Sequence, residues 1–362
     1  MQSASIRKLL LALTLLAVIL WTIVHFYNQN AQQTGKLTRI ILEPQGDFSY
    51  HQTNIPAGRP QAATLDAGSR KTLHQKVEEW LAVHHRSAAS LLAAFHVLGD
   101  TNYLQEAATN FPNHAQVEWT ILARNAFPGD RGRWLDLFKA SSPSNSLANY
   151  LSAQAQFQNG QPEAAVKDLV AATGKPELEN YTLESQLDAE ELCQFLGKSS
   201  LESTETALAG AMGDTLAELA TLKQLASQMS DLQKQELNVG DNTSAKNLAQ
   251  MGTFLGGKLN NGANGNYIIN QLVGMAVESM TLAQLDPNTG CDFLAGETPG
   301  QKLQELRQQK SMLSELNKSF EAIAPGLTDA EQVSFQERVK IYGEVGAMRW
   351  LLQQHGNPPN GG

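Results

Sequence analysis

Cysteine is nearly missing from this chain. Cys193 and Cys291 are the only two in 362 residues, too few for a disulfide framework or a cysteine-rich metal site. Charge is also sparse: 27 Lys and Arg stand against 36 Asp and Glu, a net charge of -9 with charged residues at 17%. No basic stripe interleaved with aromatics occurs, so the clustered cations that neutralise nucleic-acid phosphates are lacking. No sustained alternation of β-branched residues occurs either, which removes the sheet-forming pattern and leaves an all-α fold. The catalytic signatures H-E-x-x-H and G-x-S-x-G are absent, and neither cysteine has a nucleophile's setting. The sequence therefore names no catalytic residue, no cofactor and no metal, and points away from an enzyme.

The longest apolar run stands at the N-terminus. Leu9 to Tyr27, "LLLALTLLAVILWTIVHFY", follows Arg7 and Lys8. As a helix it would span about 28 Å, close to a bilayer's hydrocarbon core. No small-x-small cleavage site follows, and no cysteine stands near for a lipid anchor. Residues 1–27 read as a cytoplasmic tip and a retained transmembrane anchor through residues 9–27. The positive flank places the N-terminus in the cytoplasm and the bulk of the chain in the periplasm or outside the cell. In such a compartment Cys193 and Cys291 could pair, although Cys193 lies in a helical pattern and Cys291 in a turn.

Residues 28–65 read as a linker rich in Gln, Asn, Gly and Pro, with one short apolar stretch at Ile40–Leu42 and with Lys36 and Arg39 beside it. From residue 66 helical periodicity dominates, and "SRKTLHQKVEEWLAV" puts Leu73, Val77, Trp80 and Leu81 on one face. Gly99, Gly129 and Gly160 recur at steps of 30 and 31 residues, and Pro112, Pro143 and Pro176 at steps of 31 and 33. A glycine turn inside each unit and a proline after it describe repeated helix hairpins, which bury their faces by stacking on neighbours.

The third unit, "NSLANYLSAQAQFQNGQPEAAVKDLVAATGKP", carries Ala155, Gly160, Ala165, Leu169 and Ala172 where the tetratricopeptide family has small, turn and packing residues. The first unit matches through Ala94, Gly99, Leu104, Ala107 and Pro112, and the second keeps only the hairpin. The resemblance covers residues 86–176, within a tetratricopeptide-like helical region read over 66–176 and continued by a longer-helix region over 177–354 and a tail over 355–362. The whole layout is similar to bacterial membrane-anchored helical-repeat proteins, a likeness that implies no activity. The resemblance implies a groove lined by the first helix of each hairpin, with Trp119, Tyr150, Gln154 and Phe157 facing it. Aromatic side chains in such a groove suit a bound peptide; the other reading of the same residues is that they pack against the linker or the following helices. The expected function is a membrane-tethered scaffold for a protein or peptide partner. The alternative is a small-molecule site or enzyme with a pocket between the array and the C-terminal helices.

One stretch competes with that reading. In "MGTFLGGKLNNGANGN", Gly252, Gly257 and Lys258 match the G-x-x-x-x-G-K phosphate loop. Leu259 stands where a Ser or Thr must bind magnesium, and no strand precedes the glycines. Gly256 and Gly257 are expected to end a helix, with Lys258 near its negative pole. "DPNTGCD", Asp286–Asp292, has spaced oxygen side chains but lacks a calcium loop's Gly and Glu positions and is expected to be a turn. His84, His85 and His96 lack metal-ligand spacing. Further on, the sequence predicts a hairpin turning at Gly240–Asp241, a long helix from Gln301 to Ala322, and a last helix capped by Thr328 and Glu331.

Overall fold

The computed structural model describes residues 67–261 and 267–356. The apolar run Leu9–Tyr27, the linker and the tail from residue 357 lie outside the described residues. Among the described residues there are thirteen α-helices and no strand, and no helix is long and apolar enough to cross a membrane.

Helix α1 (Ala67–Val83) buries Val77, Trp80 and Leu81, with Leu73 half-buried beside them. Three helix pairs follow: α2 (Ala88–Leu98) with α3 (Thr101–Asn110), α4 (Ala115–Arg124) with α5 (Arg131–Ser141), and α6 (Leu147–Gln158) with α7 (Pro162–Thr173). Pairs one and three turn on Gly99 and Gly160, whose φ of 69° and 71° lies in the left-handed region that glycine enters without a Cβ penalty. The second pair departs from the expected glycine. Its left-handed residue is Asn125 (φ 49°), and Gly129 sits in a 3-10 turn, Pro128–Asp130, with no positive φ. Asparagine is the other residue that enters this region readily, so a glycine count alone misplaced the turn by four residues. Pro112, Pro143 and Pro176 each stand two to three residues past the end of a pair's second helix, where a proline stops further helix.

Helix α8 (Thr182–Phe195) packs on α2 and on α9 (Ser200–Asn238), the longest helix at 39 residues. A capping box at Ser199 and Glu202 opens α9. Gly240 (φ 83°) and the N-cap Asp241 turn the chain into α10 (Asn242–Asn260). After it comes α11 (Ile268–Leu282). These helices belong to the same compact unit as the three pairs, residues 52–285 with 328–347. Residue 176, where the repeat loosens, lies inside this unit.

The second compact unit comprises residues 286–327 and 348 onward within the described chain. It contains α12 (Pro299–Ile323), close to the predicted Gln301–Ala322 and capped by Thr298 and Gln301. The Asp286 side chain accepts from the Asn288 backbone (3.0 Å) and the Thr289 hydroxyl (2.6 Å), so "DPNTGCD" opens as a side-chain-closed turn. Helix α13 (Asp329–Gln354) starts at the Thr328–Glu331 capping box and kinks at Gly343 (φ 74°). Both cysteines are buried and no disulfide joins them; the pairing left open by the sequence is not formed. Cys193 lies in the first unit and Cys291 in the second.

Candidate functional site

The first helices of the three pairs do line one face, but that face is not open. Helix α9 runs along α2, α4 and α6. It meets them in order: Gly210 against His96, Gly213 and Asp214 against Arg124, and Gln224 against Gln154. A Cβ on Gly210 would lie 3.3 Å from the His96 carbonyl, and one on Gly213 would lie 3.3 Å from the Arg124 guanidinium. The missing side chains are what let α9 sit so low. The predicted groove residues must be relocated accordingly. Tyr150 is fully buried, with the Lys258 ammonium 6.0 Å from its ring centroid. Gln154 is buried and donates to Gln224 (3.3 Å). Trp119 is buried against Phe138 of α5, ring centroids 6.4 Å apart. Phe157 alone stays half-exposed. Three of the four are packing residues, because periodicity identifies a helix's apolar face without identifying what covers it.

The α9 seat is unusually polar for a core. The carboxylate of Asp214 pairs with the Arg124 guanidinium, which also donates to Gly210 O (2.9 Å) and lies over the Phe95 ring. His96 stands 3.9 Å from Asp214 and is almost wholly buried. One turn on, Glu218 accepts from Asn180 Nδ2 (2.7 Å), and Asn180 in turn accepts from the Thr182 hydroxyl (2.7 Å), which lies 2.7 Å from that of Thr215. Burial disfavours charge at all three titratable groups. It raises Asp214 to about 7, against the opposing pull of Arg124, and Glu218 to about 8. It lowers His96 to about 3, with Arg124 adding to the effect. Both His96 ring nitrogens and Glu218 Oε1 lack hydrogen-bond partners. Sequence reasoning passed over Asp214 and Glu218. The available signal was two carboxylates four residues apart among Ala211, Leu219, Leu222 and Leu225, all buried along the same helix.

The phosphate-loop look-alike resolves into packing. Helix α10 continues through Gly256 and Gly257 to Asn260, so the glycines do not end it as expected. A Cβ on Gly252 would lie 2.4 Å from the Thr281 hydroxyl oxygen, and one on Gly256 2.6 Å from the Gly274 carbonyl. A Cβ on Gly274 would lie 2.7 Å from Gly256 O. This G-x-x-x-G spacing brings α10 and α11 into backbone contact. Lys258 does stand in the last turn of α10, yet its ammonium serves another helix: it donates to Ala172 O (3.1 Å) and Lys175 O at the C-terminus of α7. There it meets that helix's partial negative charge, and burial lowers its pKa.

Two further polar ties close the fold. Lys139 of α5 donates to Asp168 of α7 (2.7 Å) and to Ser152 of α6 (2.9 Å), joining the second pair to the third. Lys340 of α13 donates to Glu190 of α8 (2.6 Å), both side chains nearly buried. Gln186 links Glu190 (2.9 Å) to the Tyr267 hydroxyl (3.1 Å). Glu344 accepts from Ile268 N (2.8 Å), so a carboxylate from α13 caps the start of α11. No group of His, Cys, Asp and Glu that could hold a metal occurs among the described residues. His84 instead bonds Trp80 O (2.8 Å) and Glu191 (3.1 Å). A concavity of about 360 Å³ lies between α5 and α6, lined by Arg131, Leu135, Asp136, Ser152 and Gln156. It holds none of the strongly perturbed carboxylates. Compared with protein-family models, with curated proteins and with solved structures, the chain matches none.

Proposed function

We propose that this protein is a membrane-tethered interaction scaffold. Residues 9–27 form its anchor, the chain beyond Asn28 lies on the outer side, and the three helix pairs make a tetratricopeptide-like array. The observation that carries the reading is where the reactive groups go. Lys139, Lys258 and Lys340, with Arg124, are spent tying one helix to another, while Phe254, Ile341 and Tyr342 stand exposed. A surface that keeps large apolar side chains in water offers contact area to a macromolecule. The first helices of the three pairs, α2, α4 and α6, are covered by α9, so partners meet outer faces of the helices. The same occupancy removes support from a ligand pocket between the array and the later helices.

Two measurements test the two halves of the proposal. Alkaline carbonate extraction of membranes should leave the full chain in the pellet; release into the supernatant would sink the anchor. Photo-crosslinking of the full chain in its native membrane should give the same protein partner from crosslinkers at Phe254 and at Tyr342. The absence of any recurrent partner would sink the scaffold.

A further inference from the structure

The outer face of α8 joins apolar exposure to unbalanced charge. Leu187 and Phe195 are each 47% exposed. They are eight residues apart on one helix, about 12 Å along its axis, with Glu184, Glu191 and Gln194 exposed around them. Glu191 is answered by His84 (3.1 Å), but other carboxylates nearby are not answered by a cation among the described residues. Among the described residues Glu177, Glu179, Glu184 and Asp188 form no ion pair with Lys or Arg. Their mutual repulsion is visible in their chemistry. Burial raises Asp188, and the charges of Glu191 and Glu184 raise it further; burial raises Glu179, with Glu184 and Glu177 adding to it.

We propose that this face is the docking site of the chain's own residues 36–42. The segment Lys36–Leu42, "KLTRIIL", carries two cations and four aliphatic side chains in seven residues, the complement of a face with apolar anchors among unpaired carboxylates. The chain's connectivity brings it there. Leu42 is 25 residues from Ala67, where α1 begins, a span of roughly 25–30 Å for a free linker. Helix α1 then runs about 25 Å to His84, which is bonded to Glu191 on the α8 face itself. A segment so tethered experiences a local concentration on the order of millimolar, so weak intrinsic affinity suffices. The inference deepens the scaffold reading and its functional consequence rests on the anchor. With Lys36 docked, nine residues separate it from Tyr27, a reach of at most about 30 Å. Undocked, the 40 residues from Tyr27 to Ala67 reach about 130 Å. Docking would thus set how far the folded part stands from the membrane, and salt would loosen it.

The test uses the full chain in liposomes, with a benzophenone amino acid in place of Gln194, which is exposed and lies between the two anchors. Equal parts of isotopically light and heavy chain are mixed before irradiation. The expected product is an intrachain crosslink, light to light and heavy to heavy, mapping to residues 36–42. Its yield should fall about fivefold in Glu184→Lys and in Lys36→Glu with Arg39→Glu, and recover when those changes are combined. A crosslinker at Val170 on α7 should not give it. Light-to-heavy products would show that a second copy covers the face, and a yield no higher than at Val170 would show that segment 36–42 does not. Either result overturns the proposal. If carbonate extraction releases the chain, the anchor falls while the crosslink still reports on docking.

Discussion

A Cβ on Gly256 would lie 2.3 Å from the Glu278 side chain and 2.6 Å from the Gly274 carbonyl, whereas one on Gly257 would meet nothing within 4 Å. The two neighbours make a sharp pair for mutation. Gly256→Ala should destabilise by about 1–3 kcal/mol, because the α10–α11 backbones must part. Gly257→Ala, at a helical and half-exposed position, should stabilise by about 0.5–1 kcal/mol by restricting the unfolded chain. Equal melting temperatures for the two variants would refute the close-packing account. Lys258→Ala should cost about 1–2 kcal/mol through the unanswered carbonyls of Ala172 and Lys175, and Mg-ATP titration calorimetry should be flat before and after. Saturable ATP binding by the parent chain would overturn that assignment. At this scale the sequence was legible only in part. Leu259 and the missing strand argued correctly against a phosphate loop. The glycine pattern itself could not show Gly274, eighteen residues beyond Gly256, since the contact exists only once α10 and α11 are paired.

Helix existence was the most legible level, because local chemistry decides it. Thr328 with Glu331 marked the start of α13, and Gly99, Gly160 and Gly240 marked their turns. The exception at Asn125 follows from a second residue type that tolerates positive φ. What sequence did not reveal was the start of α9 at Ser200, or its path along the array. Periodicity assigns a buried face but not its partner, so Tyr150 and Gln154 read as groove residues. The seating of α9 is itself testable. A Cβ built on Gly210 lies 3.4 Å from that of His96, close to the separation a disulfide requires. The variant His96→Cys with Gly210→Cys should oxidise without a crosslinking reagent. Its melting temperature should rise on oxidation, by an amount equivalent to about 2–4 kcal/mol. Failure to form the bond in the folded chain would mean that α9 does not lie against α2 there.

For the molecule as a whole, the buried carboxylates predict an inverted acid response. Glu218 and Asp214 hold their protons to about 8 and about 7 in the fold but release them near the ordinary values of 4.5 and 3.8 when unfolded. Their contribution is complete below those ordinary values and is lost as pH climbs through 7 and 8. His96 works the other way: lowered to about 3 from 6.5, it costs stability as pH falls below 6.5. Stability should therefore peak in mildly acidic solution and decline toward pH 8, and Glu218→Gln should flatten the alkaline limb. A melting temperature that rises steadily from pH 5 to pH 8 would contradict the burial of these groups. None of this was readable from the net charge of -9, which counts carboxylates without saying which are dry.

Lys340 and Glu190 are separated by 150 residues, and that interval is also a delay. A ribosome adding about 5–20 residues per second needs roughly 8 to 30 s to travel it. Throughout that time Glu190 waits without its ammonium, and for about its last half the first N–H of α11 waits without the Glu344 carboxylate. The fastenings of α8 and α11 are made long after the helices they hold. Any nascent chain halted before residue 340 carries an open seam that a finished one does not, which gives quality control a place to tell the two apart.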